Sequence, residues 1–469
     1  MRTMGRMSRF RLRIIAPKGL PMLSVSEAQN KVADLVAAAK RAGADAADAV
    51  YHRNESTEVQ VRLGALEDVG RSDGEEIGLR LFVGKRSASV SSSDLSRDAL
   101  AALVDRAAAM AREAPEDEYA GLAPADRLLT GEAVEIDADD GQDPSPASLK
   151  ERALAAEDAA RAVKGVTNSE GAGASAGRTL MALATSTGFA RASVSSGYGC
   201  SASVIAGEGA GMQRDYAYHS ARHLSDLEAA AEIGARAGER AVDRLNPGKL
   251  TSGAMPILFD PRVGSSLIGH LAGAITGSSI ARKTSFLLGK RGERIFASGI
   301  TIRDDPHRLR GLRSRAFDGE GLTTMPVNVV ADGVLQTWLL DSASARQLGE
   351  APTGHAARGG SGAPGAGTSN FFMEAGRLSV AELMSDIKLG VFVTELIGHG
   401  VNGITGDYSR GASGFVIRDG HLTEAVAEIT IAGNLSDMFL ALAPADDLVF
   451  RRAMDVPTLR IDGMMVAGA

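Results

Sequence analysis

Cysteine is almost missing from this sequence, since its 469 residues include only Cys200. A single cysteine excludes an intramolecular disulfide and any metal site built from several thiolates, and it is typical of a protein in a reducing compartment. Long apolar runs are missing too. None reaches the ~18 residues that a membrane-spanning helix needs. We therefore expect a cytoplasmic protein without a membrane segment.

An excess of positive charge is also missing. Fifty-one Lys and Arg residues stand against 58 Asp and Glu residues, which gives a formal net charge of -7. Without a positive field over the whole molecule, direct binding of nucleic acid is not expected. The 44% hydrophobic and 23% charged residues are instead the proportions of a globular protein that folds in water.

The first 22 residues have a composition of their own. They contain no acidic residue and six basic ones, Arg2, Arg6, Arg9, Arg11, Arg13 and Lys18. Their apolar stretch is too short for a secretory signal peptide. We interpret residues 1–22 as a disordered leader or a mis-assigned start, with an organellar transit peptide as the alternative.

Changes of hydrophobic period divide the rest of the chain into three parts. Ser24 and Glu27 form a capping box before a helix, and alternating strands and a second helix follow, which predicts an N-terminal α/β domain at 23–145. A Pro-, Asp- and Glu-rich connector leads into a middle region at 146–247, with small-residue strands between flanking helices, the second at 224–245. The turn residues Asn246, Pro247 and Gly248 then open a sheet-rich C-terminal domain at 248–469.

The fold class predicted from this order is α+β, with a two-layer N-terminal domain and a larger sheet-rich C-terminal domain enclosing a cleft. Tight hairpins are expected at Asp332-Gly333 and Asp419-Gly420, because these dipeptides tolerate positive φ. Residues 349–369 are rich in Gly, Ala and Pro, which predicts a long loop over the surface or the cleft.

Several short motifs match catalytic or binding patterns only in spacing. Gly360, Gly362 and Gly365 have the G-x-G-x-x-G spacing of a dinucleotide site, but no apolar strand precedes them and no helix follows. Two G-x-S-x-G strings surround Ser72, which we place in a hairpin turn, and Ser175, which we place at the start of a strand. Neither context provides the strand-to-helix turn of a nucleophilic serine.

A histidine pair is the remaining candidate metal site from spacing alone. His219 and His223 are four residues apart, which on a helix would place both imidazoles on one face. The preceding residues read as the end of a strand, and no third ligand is evident. Solvated surface histidines are the favoured interpretation.

Longer strings carry a family resemblance. The segment MPILFDPRVGSSLIGHLAGAITG (255–277) reads as a strand followed by a helix with Asp260 as its N-cap and Pro261 as its first residue. The others are GLRLFVGKRSASVSSSDLS (78–96), GDYSRGASGFVIRDG (406–420), AEITIAGNLSDMF (427–439) and TLRIDGMMVAG (458–468). Together they resemble the TldD/PmbA family, and within it the PmbA (TldE) branch, whose members are also described as modulators of DNA gyrase.

The resemblance implies a cytoplasmic protein that pairs with a TldD homologue in a heterodimeric zinc metalloprotease acting in peptide maturation and proteolysis. In the TldD branch an H-E-x-x-x-H helix and a later cysteine make the zinc site. Here His270 keeps the first position, whereas Leu271 replaces the general base and Ile275 the second histidine, and no cysteine follows. Hydrocarbon side chains can neither bind zinc nor take a proton. We therefore expect no catalytic residue, metal or cofactor in this chain, and zinc only in the partner.

The resulting hypothesis is a non-catalytic subunit that helps to hold an extended peptide. Small side chains let a peptide backbone approach closely, which makes two stretches candidates for its groove or lid, although tight packing would explain them equally well. They are Gly359, Gly360, Ser361, Gly362 and Gly365, and Gly411, Ala412, Ser413 and Gly414. Two alternatives are an autonomous peptidase with an unrecognised site and a non-enzymatic protein that binds gyrase. A homodimer is possible when the partner is absent.

Overall fold

One antiparallel sheet of six strands runs through the first half of the protein. The structure, a computed structural model, describes residues 23–360 and 362–468, so the leader predicted at 1–22 lies outside it. The strand order is β3-β2-β1-β4-β5-β6. The strands are β1 (Ala46–Arg62), β2 (Ala65–Val83), β3 (Arg86–Ser92), β4 (Val166–Thr185), β5 (Ala190–Ala206) and β6 (Gln213–Ala221).

Four helices cover one face of this sheet, namely α1 (Val25–Arg41), α2 (Arg97–Glu113), α3 (Pro146–Ala162) and α4 (Ala230–Asp243). Successive strand residues point to opposite faces. Tyr51 accordingly packs under α1 and α2, whereas its neighbour Val50 packs against Phe317 and Leu322 of the second half. The helical layer and the sheet form the predicted two-layer arrangement.

The sheet is continuous across the boundary that the sequence suggested near residue 145. β1 pairs with β2 on one side and with β4 on the other, from Asp48 opposite Thr185 to Val61 opposite Ala172. The predicted N-terminal domain and the middle region therefore share one sheet and are not separate packing units.

Small residues set the spacing within the middle region. A Cβ atom added to Gly234 of α4 would overlap the carbonyl oxygen of Ala156 in α3, and one added to Gly238 would lie 2.7 Å from the carbonyl oxygen of Ala160. The two helices thus pack backbone to backbone. Beneath them, β4 and β5 form the predicted small-residue hairpin.

The turn between β1 and β2 lies at Leu63 and Gly64, which have φ values of 52° and 77°. The buried carboxylate of Glu157 in α3 accepts hydrogen bonds from both backbone N–H groups, at 2.7 and 2.8 Å. The prediction that Ser72 lies in a hairpin turn is wrong, because β2 continues through it and pairs Ser72 with Ser56. Ser175 likewise lies inside β4, not at its start.

Strands dominate the second half. They are β7 (Gly253–Phe259), β8 (Ile302–Asp305), β9 (Val327–Ala331), β10 (Val334–Leu335), β11 (Ala356–Ala357), β12 (Gly365–Ala366), β13 (Asn370–Met373), β14 (Leu389–Ile397), β15 (Asp407–Arg418), β16 (His421–Asn434), β17 (Leu442–Pro444), β18 (Met454–Asp455) and β19 (Leu459–Ala467). The helices are α5 (Pro261–Ala274), α6 (Gly277–Ala281), α7 (Ser342–Leu348), α8 (Val380–Met384) and α9 (Leu435–Leu440).

The main sheet of this half closes on itself. Its order is β16-β15-β14-β7-β19-β17, and β19 pairs with β16 as well as with β7. A second sheet, β10-β9-β8-β13-β18, lies beside it, and α5 packs against β14 and β18. The largest hydrophobic core of the protein fills this half. The α+β class with a sheet-rich C-terminal part is confirmed.

Local sequence signals located the two predicted hairpin turns correctly, but they misplaced the start of one helix. The predicted tight turns have positive φ at Asp332 (46°) and Asp419 (45°). The helix predicted at 224–245 instead begins at Ala230, after a separate 3-10 turn. A contact with the connector explains the break, because the backbone N–H of Leu224 donates to the carboxylate of Asp140. Within the described part of the chain, no helix is long and apolar enough to cross a membrane.

Candidate functional site

Helix α5 carries the positions that the family resemblance marks as a former metal site. The helix begins as predicted, with the side chain of Asp260 accepting from the backbone N–H of Arg262 at 2.8 Å and Pro261 in the first turn. It ends at Ala274. His270 and Leu271 therefore lie in its last turns, and Ile275 occupies the C-cap.

Leu271 and Ile275 are core residues. Both side chains are 0% exposed and belong to the largest hydrophobic cluster. Ile275 is held further by its carbonyl group, which accepts a hydrogen bond from Leu339 at 2.9 Å. A carboxylate or an imidazole at these positions would be buried in hydrocarbon, so the packing of this helix is built around the substituted residues.

His270 is turned towards a cavity of about 310 Å³ instead. His399 and Arg410 also line this cavity, together with the hydroxyl residues Ser279 and Thr284. Burial and the nearby charge of Arg410 lower the pKa of His270 below its usual value, so the ring is neutral near pH 7. Its Nε2 atom has no hydrogen-bond partner among the described residues.

Tyr408 closes one side of His270. The two rings meet edge to face with centroids 6.2 Å apart. Tyr408 is 2% exposed, and its hydroxyl finds no partner within the described ranges. Burial raises the pKa of Tyr408 to about 12, so the phenol stays protonated.

The residues around His270 do not fit a zinc ion. A catalytic zinc needs three protein ligands, and the described chain contains no cluster of three His, Cys, Asp or Glu side chains placed to hold a metal. The guanidinium of Arg410, whose charge acts on the ring, repels a cation. Cys200 lies elsewhere, buried in β5, where burial raises the pKa of its thiol to about 11.

The histidine pair is separated by the fold. His219 lies in strand β6, where its Nδ1 accepts from the backbone N–H of Glu228 at 3.1 Å. His223 follows the strand, and its Nε2 lies 3.0 Å from the carbonyl oxygen of Asp137. His223 is buried, so the prediction of solvated surface histidines is wrong for this residue. Both rings take part in separate structural hydrogen bonds.

The first candidate groove segment is inside the sheet. Gly411, Ala412, Ser413 and Gly414 lie in β15 between β14 and β16, and the last three are buried. A Cβ atom on Gly414 would collide with the carbonyl oxygen of Phe392. All four residues pair with β14, and Gly411, Ala412 and Gly414 also pair with β16, so most of the backbone of this segment is already used within the sheet. The small residues allow close strand packing here, and their role in a peptide groove stays a prediction.

The second candidate segment is a surface hairpin. β11 pairs with β12, and Gly359, Gly362 and Gly365 are exposed, whereas Ser361 lies outside the described residues. A Cβ atom on Gly360 would lie 3.8 Å from the carboxylate of Glu76 in β2. The hairpin therefore reaches the six-stranded sheet, and its role as a lid stays a prediction.

An arginine-lined cavity was not found by sequence reasoning. It has a volume of about 410 Å³ and lies where β6 meets the second half. Its five arginines come from distant segments, and no motif joins them: Arg222, Arg308, Arg310, Arg451 and Arg452. We call this site the arginine cavity.

Three consecutive parts of the chain match domains of one family. Residues 47–111 match domain 1 of the PmbA/TldA metallopeptidases, residues 139–245 match the central domain, and residues 252–468 match the C-terminal domain. The chain belongs to the PmbA/TldD family. The resemblance drawn from the sequence strings is thereby confirmed.

Relatives in the PmbA/TldD family match over most of their length. Metalloprotease PmbA from Escherichia coli O157:H7 is 37% identical over 426 residues, which cover 90% of this chain and 92% of that protein. A metalloprotease PmbA homolog from Haemophilus influenzae is 35% identical over 445 residues, covering 94% and 96%. The protein is therefore of the PmbA/TldE metallopeptidase type.

Solved structures of PmbA/TldD proteins have the same fold. A candidate modulator of DNA gyrase from Bacteroides thetaiotaomicron superposes with a TM-score of 0.88 at 27% identity, covering 96% of this chain and all of that one. TldE from Thermococcus kodakarensis gives a TM-score of 0.84 at 21% identity, covering 93% of this chain and 100% of that one. The second likeness shows a shared fold.

Proposed function

We propose that this chain is the non-catalytic PmbA/TldE-like subunit of a heterodimeric zinc peptidase, in which a TldD homologue carries the metal. The observation that carries the proposal is the burial of Leu271 and Ile275 in the hydrophobic core. These are the positions at which the resemblance expects a general base and a second zinc ligand.

The chemistry of zinc hydrolysis supports this assignment. A zinc peptidase needs ligands that leave one coordination position for water and a carboxylate that takes the proton of that water. At α5, one neutral imidazole faces a cavity that it shares with the guanidinium of Arg410. This set offers neither the ligand number nor the general base.

The contribution of this chain is to complete a chamber in which the partner cleaves peptides during maturation and proteolysis. Cavities between the six-stranded sheet and the second half provide surfaces for an extended chain. A single cysteine fits a reducing compartment, and we place the complex in the cytoplasm. In the absence of the partner, this chain can form a homodimer.

The test compares the isolated chain with a mixture of this chain and its TldD homologue. Zinc per polypeptide is measured by elemental analysis, and cleavage is followed with an unstructured fluorogenic peptide, with and without EDTA. We expect no stoichiometric zinc and no EDTA-sensitive cleavage by the isolated chain, and cleavage by the mixture. Zinc-dependent cleavage by the isolated chain would make it an autonomous peptidase and end the proposal.

Matched histidine variants locate the chemistry. His270→Ala in this chain should leave the cleavage rate of the mixture within about twofold, whereas alanine at the first histidine of the partner's H-E-x-x-x-H helix should abolish it. Loss of cleavage with His270→Ala would contradict a non-catalytic role. Capture of gyrase, without binding to the TldD homologue, would favour the alternative of a gyrase-binding protein.

A further inference from the structure

The arginine cavity lies where the end of β6 meets two loops of the second half. Its walls come from residues 219–222, 226, 228, 308–312 and 449–452. Its volume of about 410 Å³ falls within the roughly 300–1,000 Å³ of pockets that hold small ligands or a few peptide atoms. The site is separate from the cavity beside His270.

The two acidic residues of the wall are already paired. Asp226 lies 3.1 Å from Arg310, which also contacts Asp137 at 2.6 Å. Glu228 is paired with Arg451 and with Arg236. Two of the five arginines of the cavity are therefore neutralised locally, and no acidic side chain of the wall is left for the other three.

Arg222, Arg308 and Arg452 have no carboxylate within ion-pair distance in the described part of the chain. Arg222 donates to the carbonyl groups of Ser196 and Leu312, and its Nε atom is buried without a partner. Burial lowers its pKa. Burying a charge without a counter-ion is unfavourable, so an anion in this cavity would relieve a cost that the fold already bears.

Arg308 and Arg452 are held by other groups. The guanidinium of Arg308 stacks over the ring of Phe450 at 3.6 Å, and Arg452 donates to the hydroxyl of Tyr218 at 2.8 Å. Asp455, the nearby carboxylate, accepts instead from the backbone N–H groups of residues 451 and 452. Both guanidinium groups thus keep N–H groups that can donate to a ligand. Arginine binds carboxylates through bidentate hydrogen bonds.

The rim of the cavity is apolar. Leu309 is 64% exposed, Val449 57% and Phe450 39%. Exposed apolar side chains around a charged pocket are typical of a binding site for a ligand that has a charged group next to an apolar group. A carboxylate beside a hydrocarbon side chain has this combination.

We propose that the arginine cavity binds a carboxylate of the substrate peptide, with an adjoining apolar side chain on the rim formed by Leu309, Val449 and Phe450. That the occupant is a peptide rests on the proposed function. The carboxylate can be the free C-terminus or an acidic side chain, since both offer the same two oxygens.

The test measures binding to the isolated chain by fluorescence anisotropy. Three N-terminally labelled peptides ending in leucine are compared: one with a free C-terminus, one with an amidated C-terminus, and one amidated with glutamate before the leucine. We expect the uncharged amide to bind at least about tenfold more weakly than the free acid, and both acids to weaken with added salt. Recovery by the glutamate peptide would show that the site accepts an acidic side chain as well as a C-terminus, and no recovery would restrict it to C-termini.

Arginine variants connect this binding to the cavity. Arg308→Gln and Arg452→Gln should each weaken binding of the preferred acid at least about tenfold, while Arg106→Gln, at an exposed position of α2, should leave it unchanged. Arg308 donates no side-chain hydrogen bond to the described residues, so its replacement should leave the fold intact, as checked by thermal unfolding. Equal binding of acid and amide, or equal competition by inorganic sulfate or a single-stranded oligonucleotide, would overturn the proposal.

Failure of this proposal is distinguishable from failure of the proposed function. Binding is read without the TldD homologue and without cleavage. If the chain proved to be a peptidase by itself, weaker binding in the Arg308→Gln and Arg452→Gln variants would still assign the carboxylate to the arginine cavity. If no acid bound while the mixture still cleaved peptides, only the assignment of the arginine cavity would be lost.

Discussion

The imidazole of His270 stands edge-on to the ring of Tyr408, with an angle of 79° between their planes. Each ring contributes a buried polar atom without a partner among the described residues, Nε2 of His270 and the hydroxyl of Tyr408. The histidine retained from the family motif therefore makes an aromatic packing contact. Both polar atoms are buried without a hydrogen bond, so removing one of them should change the free energy of unfolding.

Replacing Tyr408 with phenylalanine should stabilise the protein. The substitution removes a buried hydroxyl that has no partner, and the free energy of unfolding should rise by about 1 kcal/mol. Tyr198→Phe is the matched control, because that hydroxyl lies within hydrogen-bond distance of the Asp140 carboxylate and 2.7 Å from the carbonyl oxygen of Gln142. The control should lose about 1–2 kcal/mol in urea unfolding. Equal losses in both variants would show that Tyr408 is satisfied in solution.

Glu320 should make the stability depend on pH. Burial and the charge of Asp318 raise the pKa of Glu320 to about 7. Because the folded state holds this proton more tightly than the unfolded state, its contribution is most favourable below the unfolded pKa near 4.5 and declines as the pH rises towards 7. Glu320→Gln should match the wild type at pH 4.5 and exceed it by roughly 2–3 kcal/mol at pH 8.

Urea unfolding at the two pH values measures this difference. Glutamine keeps an oxygen for Ser342, whose hydroxyl donates to the carboxylate at 2.7 Å, so the substitution changes mainly the charge. A variant with the same stability gain at both pH values would contradict titration of Glu320 in this range.

Asp48 joins the two halves of the protein electrostatically. Burial alone would raise its pKa, but the charges of Arg80 and Arg358 hold the pKa of Asp48 below its usual value. Each arginine lies 2.5 Å from one of its oxygens. Asp48→Asn would leave two buried guanidinium groups without a counter-charge and should cost about 3–5 kcal/mol.

An exposed ion pair serves as the control for Asp48. Glu67 lies 4.0 Å from Arg62, and both side chains are nearly half exposed. Glu67→Gln should change the free energy of unfolding by less than about 0.5 kcal/mol. Limited proteolysis adds a local measurement: Asp48→Asn should speed cleavage in the hairpin after Arg358, and unchanged cleavage would show that this anchor does not hold the hairpin.

Gly234 should tolerate no side chain. In Gly234→Ala the new methyl group would overlap the carbonyl oxygen of Ala156, so α3 and α4 would have to separate, with a loss of at least about 2 kcal/mol. Gly273→Ala in α5 is the opposite case, because nothing lies within 4 Å of its added Cβ atom. It should gain about 0.5–1 kcal/mol from helix propensity. Thermal unfolding that shifts both variants in the same direction would refute the close packing of α3 and α4.

Local parts of the fold could be predicted from the sequence because their causes lie within a few residues. Ser24 and Glu27 form the expected capping box, and Asp260 with Pro261 begins α5. The hydrocarbon side chains of Leu271 and Ile275, at positions where the family resemblance expects a general base and a zinc ligand, were also visible in the sequence. The structure adds that both side chains are buried in the hydrophobic core, where a glutamate or a histidine would be unfavourable.

Nonlocal parts could not be predicted in this way. The pairing of β1 with β4 joins residues more than a hundred positions apart, and nothing in either strand alone names the other. The same holds for the arginine cavity, where Arg222 and Arg452 meet only after both halves have folded. Small residues suit a peptide contact and tight strand packing equally well, so the sequence could not show that residues 411–414 pack inside a sheet.

The shared six-stranded sheet limits how this chain can be divided. A fragment ending in the connector after α2 would leave β1, a strand from Ala46 to Arg62, with one long edge unprotected. Such an edge invites pairing with other molecules, so the isolated fragment would aggregate rather than fold. The first two family domains are separate units in the sequence comparison, but they share one sheet. They must therefore be expressed together in any truncated or chimeric protein.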